Sequence, residues 1–195
     1  YNLDRIDPVA PSDSTTALTS DLANAVSVSI TDNFTSGAYT GGTGWSGNWA
    51  ETDSASSNNP ATTKGSVRIT SSMLEIRGGS ANAISRSFTA LASAATLNFD
   101  IYKYASNSNT FSNTETIKVY QYISGAWSLV GTLTGADITT STSGSTLAKS
   151  FSLSQGATGI KFVTDGNSTD DRIRIDNVSI TSGSAASVLA SYATG

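Results

Sequence analysis

Three observations predict an all-β chain. Apolar and polar residues alternate with period two in many short runs, no helical period competes over any length, and Gly, Ser, Asn and Thr punctuate the runs. The class they predict is a two-sheet antiparallel β-sandwich, and within it a jelly roll. Composition agrees. Of 195 residues only 37% are apolar and 13% charged, the profile of sheets whose outer faces are rich in Ser and Thr rather than Lys and Glu.

The elements follow in order. Residues 1–25 hold Pro8 and Pro11 and read as an inter-domain connector packed on the domain, with a short helical pattern over 13–25. The module proper is 26–182. Its first strand, 26–34, puts Val26, Val28, Ile30 and Phe34 on one face, and Asp32 falls on that same face. A strand at 47–51 contains Trp49. Strands 66–70 and 73–77 come next, and in the second Glu75 alternates with Leu74 and Ile76 and reads as solvent-facing. A strand at 82–89 precedes 95–103, where Leu97, Phe99 and Ile101 oppose Asn98, Asp100 and Tyr102. In 115–123, Ile117 and Val119 oppose Lys118, Tyr120 and Tyr122, and 126–133 follows. Strands 147–153 and 158–164 would pair across a turn, Phe151 and Leu153 against Ile160 and Phe162. In the last strand, 172–181, Ile173 and Ile175 keep one phase and Val178 and Ile180 the other. The phase flips at Asp176-Asn177, the mark of a β-bulge. A jelly roll commonly sets its first and last strands side by side, which would bring Asp32 and Asp176 together. Residues 183–195 read as a low-complexity tail or the lead into a next module.

Charge and residue usage exclude several functions. The net charge of −4 argues against nucleic acid, which wants a basic groove. No apolar run is long enough to cross a membrane, and no secretory leader is read. With no histidine and no cysteine there is no Ser-His-Asp triad, no thiolate chemistry and no disulfide. The three glutamates, Glu51, Glu75 and Glu115, sit singly, so a glycosidase pair is not favoured, and the chain reads as non-catalytic.

What remains is oxygen chemistry and aromatics. A carboxylate on an apolar strand face needs compensation. With only oxygen ligands on offer, the ion implied at Asp32 and Asp176 is calcium, the alternative being a turn residue or backbone cap. The stretch Asp165-Gly166-Asn167-Ser168-Thr169-Asp170-Asp171 offers a second site at Asp165, Asn167, Asp170 and Asp171. It lacks the closing Glu of an EF-hand, and an Asx-rich hairpin is the alternative. Trp49 and Phe34 read as core. Tyr39, Trp45 and Asn48, in Gly-rich sequence, read as ligand contacts, the alternative for Trp45 being a core anchor that closes one end of the sandwich. Tyr102, Tyr104, Tyr120 and Tyr122 would form either a recognition surface or cross-strand packing.

Asp32-Asn33-Phe34, the segment from Gly41 to Trp49 with its Gly-x-Gly-Trp-x-Gly-x-Trp signature, and the closing Arg174-Ile175-Asp176-Asn177-Val178-Ser179-Ile180 resemble a jelly-roll module of large secreted bacterial proteins. That module occurs in RTX-type calcium-binding adhesins exported by type I secretion and beside some secreted hydrolases. It is similar in layout to MAM-like and carbohydrate-binding modules. The resemblance implies structural calcium and a place on the bacterial cell surface. It also implies a monomeric module that binds a glycan or short peptide on another cell, alongside neighbouring domains of its own chain. A structural spacer of a giant adhesin and an accessory domain of a secreted hydrolase are the alternatives.

Overall fold

The structure, a computed structural model, describes residues 27–53, 65–78, 80–104, 111–141, 146–166 and 171–182. The connector expected at 1–25, its helical pattern and the tail at 183–195 lie outside the described residues. Residues 27–183 form one compact unit.

Among the described residues there are twelve strands, every expected one among them: β1 Ser29–Asp32, β2 Ala50–Thr52, β3 Val67–Thr70, β4 Met73–Arg77, β5 Ser80–Ser87, β6 Ala95–Tyr104, β7 Thr116–Ile123, β8 Ala126–Thr134, β9 Thr140–Ser141, β10 Leu147–Leu153, β11 Gly159–Asp165 and β12 Arg172–Thr181. They build two sheets. The seven-stranded sheet runs β10-β6-β12-β4-β3, with β1 on β12 and β9 on β6. The five-stranded sheet runs β2-β5-β11-β7-β8. All pairings are antiparallel except the two-residue β6–β9 ladder, which sequence alone did not indicate. The architecture is the expected jelly-roll sandwich.

The alternation read from sequence sets the core. Ile30, Phe34, Trp49, Leu97, Phe99, Ile101, Ile117, Val119, Phe162, Ile173 and Ile175 all lie between the sheets. Phe99 of one sheet meets Phe162 of the other edge to face at 5.1 Å and stacks on Phe151 at 5.9 Å. Such aromatic pairs add about 0.5–1.5 kcal/mol beyond the area they bury.

Three expectations need correction. Strands β10 and β11 do not pair. The first lies against β6 and the second between β5 and β7, so Phe151 and Phe162 stand on different sheets and each packs on Phe99 instead. Glu75 does not face solvent: its side chain is fully buried between Arg68 at 2.5 Å and Arg174 at 2.9 Å. The four tyrosines do not share a surface, because Tyr102 and Tyr104 stand on β6 of one sheet while Tyr120 and Tyr122 stand on β7 of the other. The bulge in β12 is real. Pairing to β6 slips between Asp176 and Ser179, with Asn177 at φ +50°.

Candidate functional site

The first and last strands do pair, with Asp32 opposite Val178. Val178, not Asp176, therefore shares Asp32's face. Asp32 points into the core beside Ile30, while Asp176 stands on the outer face opposite Asp100. The bulge restores the core phase at Val178 and leaves Asp176 on the outer face. The compensating charge for Asp32 is a guanidinium. Arg86 Nη1 donates to Asp32 Oδ2 at 2.6 Å, Trp49 Nε1 donates to the same oxygen at 2.9 Å, and Phe34 N–H donates to Oδ1 at 2.9 Å. Arg86 Nε holds Gly47 O at 2.8 Å, and the guanidinium lies 4.7 Å from the Trp45 ring and 5.5 Å from Trp49. Burial pulls Arg86 below its usual range, and Asp32 opposes that pull. A calcium shared by Asp32 and Asp176 does not fit this arrangement. One carboxylate is already neutralised and hydrogen-bonded, and the other lies across the sheet from it. Among the described residues no three carboxylates converge on a metal position.

Asn167 and Asp170 lie outside the described residues. Asp165 faces Lys118 at 3.5 Å, and Asp171 is buried. Tyr39 is not an exposed contact. It is 8% exposed, and its hydroxyl donates to Glu51 and approaches Val67 O at 3.3 Å. Burial first, then the Glu51 hydrogen bond and charge, push the Tyr39 phenol far above its ordinary range. Trp45 is half-buried against Trp49 and Phe88, at 5.3 and 6.1 Å, and its Nε1 donates to Thr31 O at 3.0 Å. Both rings serve to fasten the Gly-rich segment to the sandwich. Gly42, at φ +81°, shows why glycine is needed there: a Cβ would come within 2.3 Å of Thr31 O. Of the three expected ligand contacts, only Asn48 is exposed.

Asn48 leads to the feature that sequence reading missed. It lines a groove of about 340 Å³ on the outer face of the five-stranded sheet, together with Ser85, Ser87, Tyr122, Trp127, Thr158 and Gly159. Strand register builds it. One row across the sheet reads Ser87, Gly159, Tyr122, Trp127, and the next reads Ala50, Ser85, Lys161, Tyr120, Leu129. Gly159 is the floor. A Cβ there would touch Tyr122 Cβ at 3.5 Å and Trp127 Cη2 at 3.6 Å, so a side chain would occupy the groove. Tyr122 is 36% and Trp127 37% exposed, and their rings meet edge to face at 5.1 Å. No carboxylate lines the groove.

A signal for this pair was present. Ser124-Gly125 sits between two strand patterns, and both residues adopt positive φ, +53° and +81°. A two-residue turn of that kind fixes register, and it sets Tyr122 opposite Trp127. Chemically, the groove offers ring faces beside hydroxyl and amide groups. Its volume sits at the lower end of the roughly 300–1,000 Å³ of ligand clefts.

Comparison with known proteins agrees with the sandwich. No family model matches the chain, and no curated protein matches it. Among solved structures, a family 29 carbohydrate-binding module aligns with 80% of this chain and 90% of its own, at 14% identity and a TM-score of 0.50. A point mutant of a family 29 module aligns over 85% and 99%, at 15% identity and the same TM-score. The K3 adhesin domain of Lys-gingipain from Porphyromonas gingivalis aligns over 69% and 91% at 14% identity, with a TM-score of 0.47. At such identities what is shared with the carbohydrate-binding modules is the fold, a jelly-roll β-sandwich.

Proposed function

We propose that this domain is a non-catalytic module that binds a carbohydrate on the outer face of its five-stranded sheet. One observation carries the reading: the half-exposed Tyr122–Trp127 pair walls a groove floored by Gly159. Sugar rings present apolar C–H faces that stack on aromatic rings, and hydroxyls that suit Ser, Thr and Asn side chains. The solved neighbours are named for carbohydrate binding, which puts that ligand class ahead of a peptide. The Ser/Thr-rich, cysteine-free chain suits the setting expected from sequence, a secreted or surface-attached bacterial protein, and we propose that setting with it.

A glycan array, followed by titration of any ligand found, tests the reading. Trp127→Ala should weaken binding by about thirtyfold or more, as loss of an aromatic hot spot does, with little loss of stability because the ring is half-exposed. Gly159→Leu should block the groove. Binding that survives both substitutions would move the site elsewhere, and binding to nothing would leave a structural spacer.

Calcium enters the proposal away from the groove. Asp176 faces Asp100 across the ladder, and Asn177 bridges them, its N–H donating to Asp176 at 2.7 Å and its amide to Asp100 at 2.8 Å. Partial burial pushes Asp176 above the usual carboxylate range, the Asn177 N–H opposes it, and the charge of Asp100 adds to it. Like charges opposed on a ladder repel, and a divalent cation would relieve that repulsion. We propose calcium here as a stabiliser only. Chelation should then lower the melting temperature of the wild type but not of Asp100→Asn, and leave ligand binding intact. Equal melting curves with and without chelator would remove the metal.

A further inference from the structure

We infer that the ligand in the Tyr122–Trp127 groove is an acidic glycan, its anionic group paired with Lys161; this rests on the carbohydrate reading of the same groove. Lys161 stands in the row next to Gly159, two residues along β11, about 7 Å away on a strand. Its ammonium lies 4.5 Å from the Trp127 ring centroid and 4.9 Å from that of Tyr120. Two rings therefore hold the amine at the lip of the groove. The ordering cost of a long side chain is met before any ligand arrives.

Among the described residues, that ammonium donates no hydrogen bond and meets no carboxylate. The acid nearest along β11 on this face, Asp165, already faces Lys118 at 3.5 Å. Partial burial lowers Lys161 from its ordinary range, because leaving water disfavours the charged form. The chain as a whole carries −4, but charges beyond about 8 Å are largely screened at physiological salt. Among the described residues the groove lining holds no carboxylate, and its one cation, Arg86, is paired with Asp32, which leaves Lys161 as the charge offered to a ligand there. A sugar ring seated over Gly159 and against Trp127 would place a ring substituent at Lys161. A carboxylate or sulfate there gains a charge-assisted hydrogen bond that a neutral hydroxyl does not.

The probes are matched polymers. Oligogalacturonate is set against its methyl ester, which keeps the backbone and removes the charge, and dextran sulfate against dextran. A mixed array of neutral and acidic glycans is run alongside. The expected result is binding to an acidic member that weakens with salt. It should fall roughly ten- to a hundredfold for Lys161→Gln and be largely retained in Lys161→Arg. The matched pairs tell carboxylate from sulfate. Neutral glycans binding as well as acidic ones, or Lys161→Gln binding like the wild type, would overturn the inference while leaving the carbohydrate site in place. Binding to no glycan of either kind would overturn both.

Discussion

At the scale of single residues, Asp32 sets the terms. A carboxylate in the core costs several kcal/mol unless paired and hydrogen-bonded, and Arg86, Trp49 and the Phe34 N–H supply that pairing. Because the same guanidinium also grips Gly47, the pair ties β1 to the Gly-rich segment and to β5. Arg86→Met should therefore destabilise the domain by about 3–5 kcal/mol, the cost of stranding a buried charge, read from urea denaturation. The double change Asp32→Leu with Arg86→Met should recover much of that loss. A single change that costs nothing would return Asp32 to the metal reading. Glu51 gives a second test, with pH as the variable. Burial is the main cause of its raised pKa, Asp53 adds to it, and the Tyr39 hydrogen bond opposes it. The folded state therefore holds the Glu51 proton more tightly than the unfolded chain does. Its contribution is fully present below the ordinary glutamate value of about 4.3 and is lost as pH rises through the raised folded value. Glu51→Gln should flatten that part of the stability–pH curve and leave the protein more stable than the wild type at neutral pH. A variant whose curve keeps the wild-type slope between about pH 4 and 7 would show that the slope comes from another group.

At the scale of elements, period-two alternation located the strands well, because each strand buries one face and an alternating sequence records which. Strands β3, β4 and β7 to β12 show how far that goes and where it stops. The bounds of β4, β10 and β12 are those read from sequence, yet β10 was given the wrong neighbour, since alternation says nothing about which sheet a strand joins. The two-residue β9 was missed because so short a ladder leaves no pattern. Glu75 was misread because alternation distinguishes two faces but not whether the outer one is wet. Arg68 and Arg174, which bury Glu75, come from β3 and β12, the latter 99 positions away in sequence. The site was half legible. The sequence marks Asn48, and it groups Tyr122 with three other tyrosines, two of which the fold sets on the opposite sheet. Trp127 was overlooked because its partnership depends on hairpin register, and Lys161 because its setting depends on three strands at once. Tyr39 and Trp45 looked exposed only because they sit among glycines. In the fold, those glycines let the backbone come close enough to bury them.

At the scale of the whole molecule, the two outer faces have different work. On the seven-stranded sheet, Glu75 is enclosed by Arg68 and Arg174, with Arg172 at 4.0 Å. Arg174 also reaches the Tyr102 hydroxyl at 3.3 Å and lies 3.7 Å from the Tyr104 ring. That face is locked by its own side chains. On the five-stranded sheet the rings of Tyr122 and Trp127 are left half-exposed over an open floor. Function should follow that division. Glu75→Gln removes the acid that balances these arginines, and leaving buried charge uncompensated costs about 3–5 kcal/mol. The two faces are separated by the core between the sheets and share no groove residue, and effects at distant sites with no shared partner usually add without coupling. Glu75→Gln should therefore lower the midpoint of denaturation strongly while the folded fraction binds glycan with wild-type affinity. Trp127→Ala should do the reverse. Calorimetric titration well below the variant's midpoint, with folded fraction fixed by circular dichroism, separates the two effects. An affinity loss in folded Glu75→Gln protein would mean that the charged network shapes the groove through the core, and that the faces are not independent.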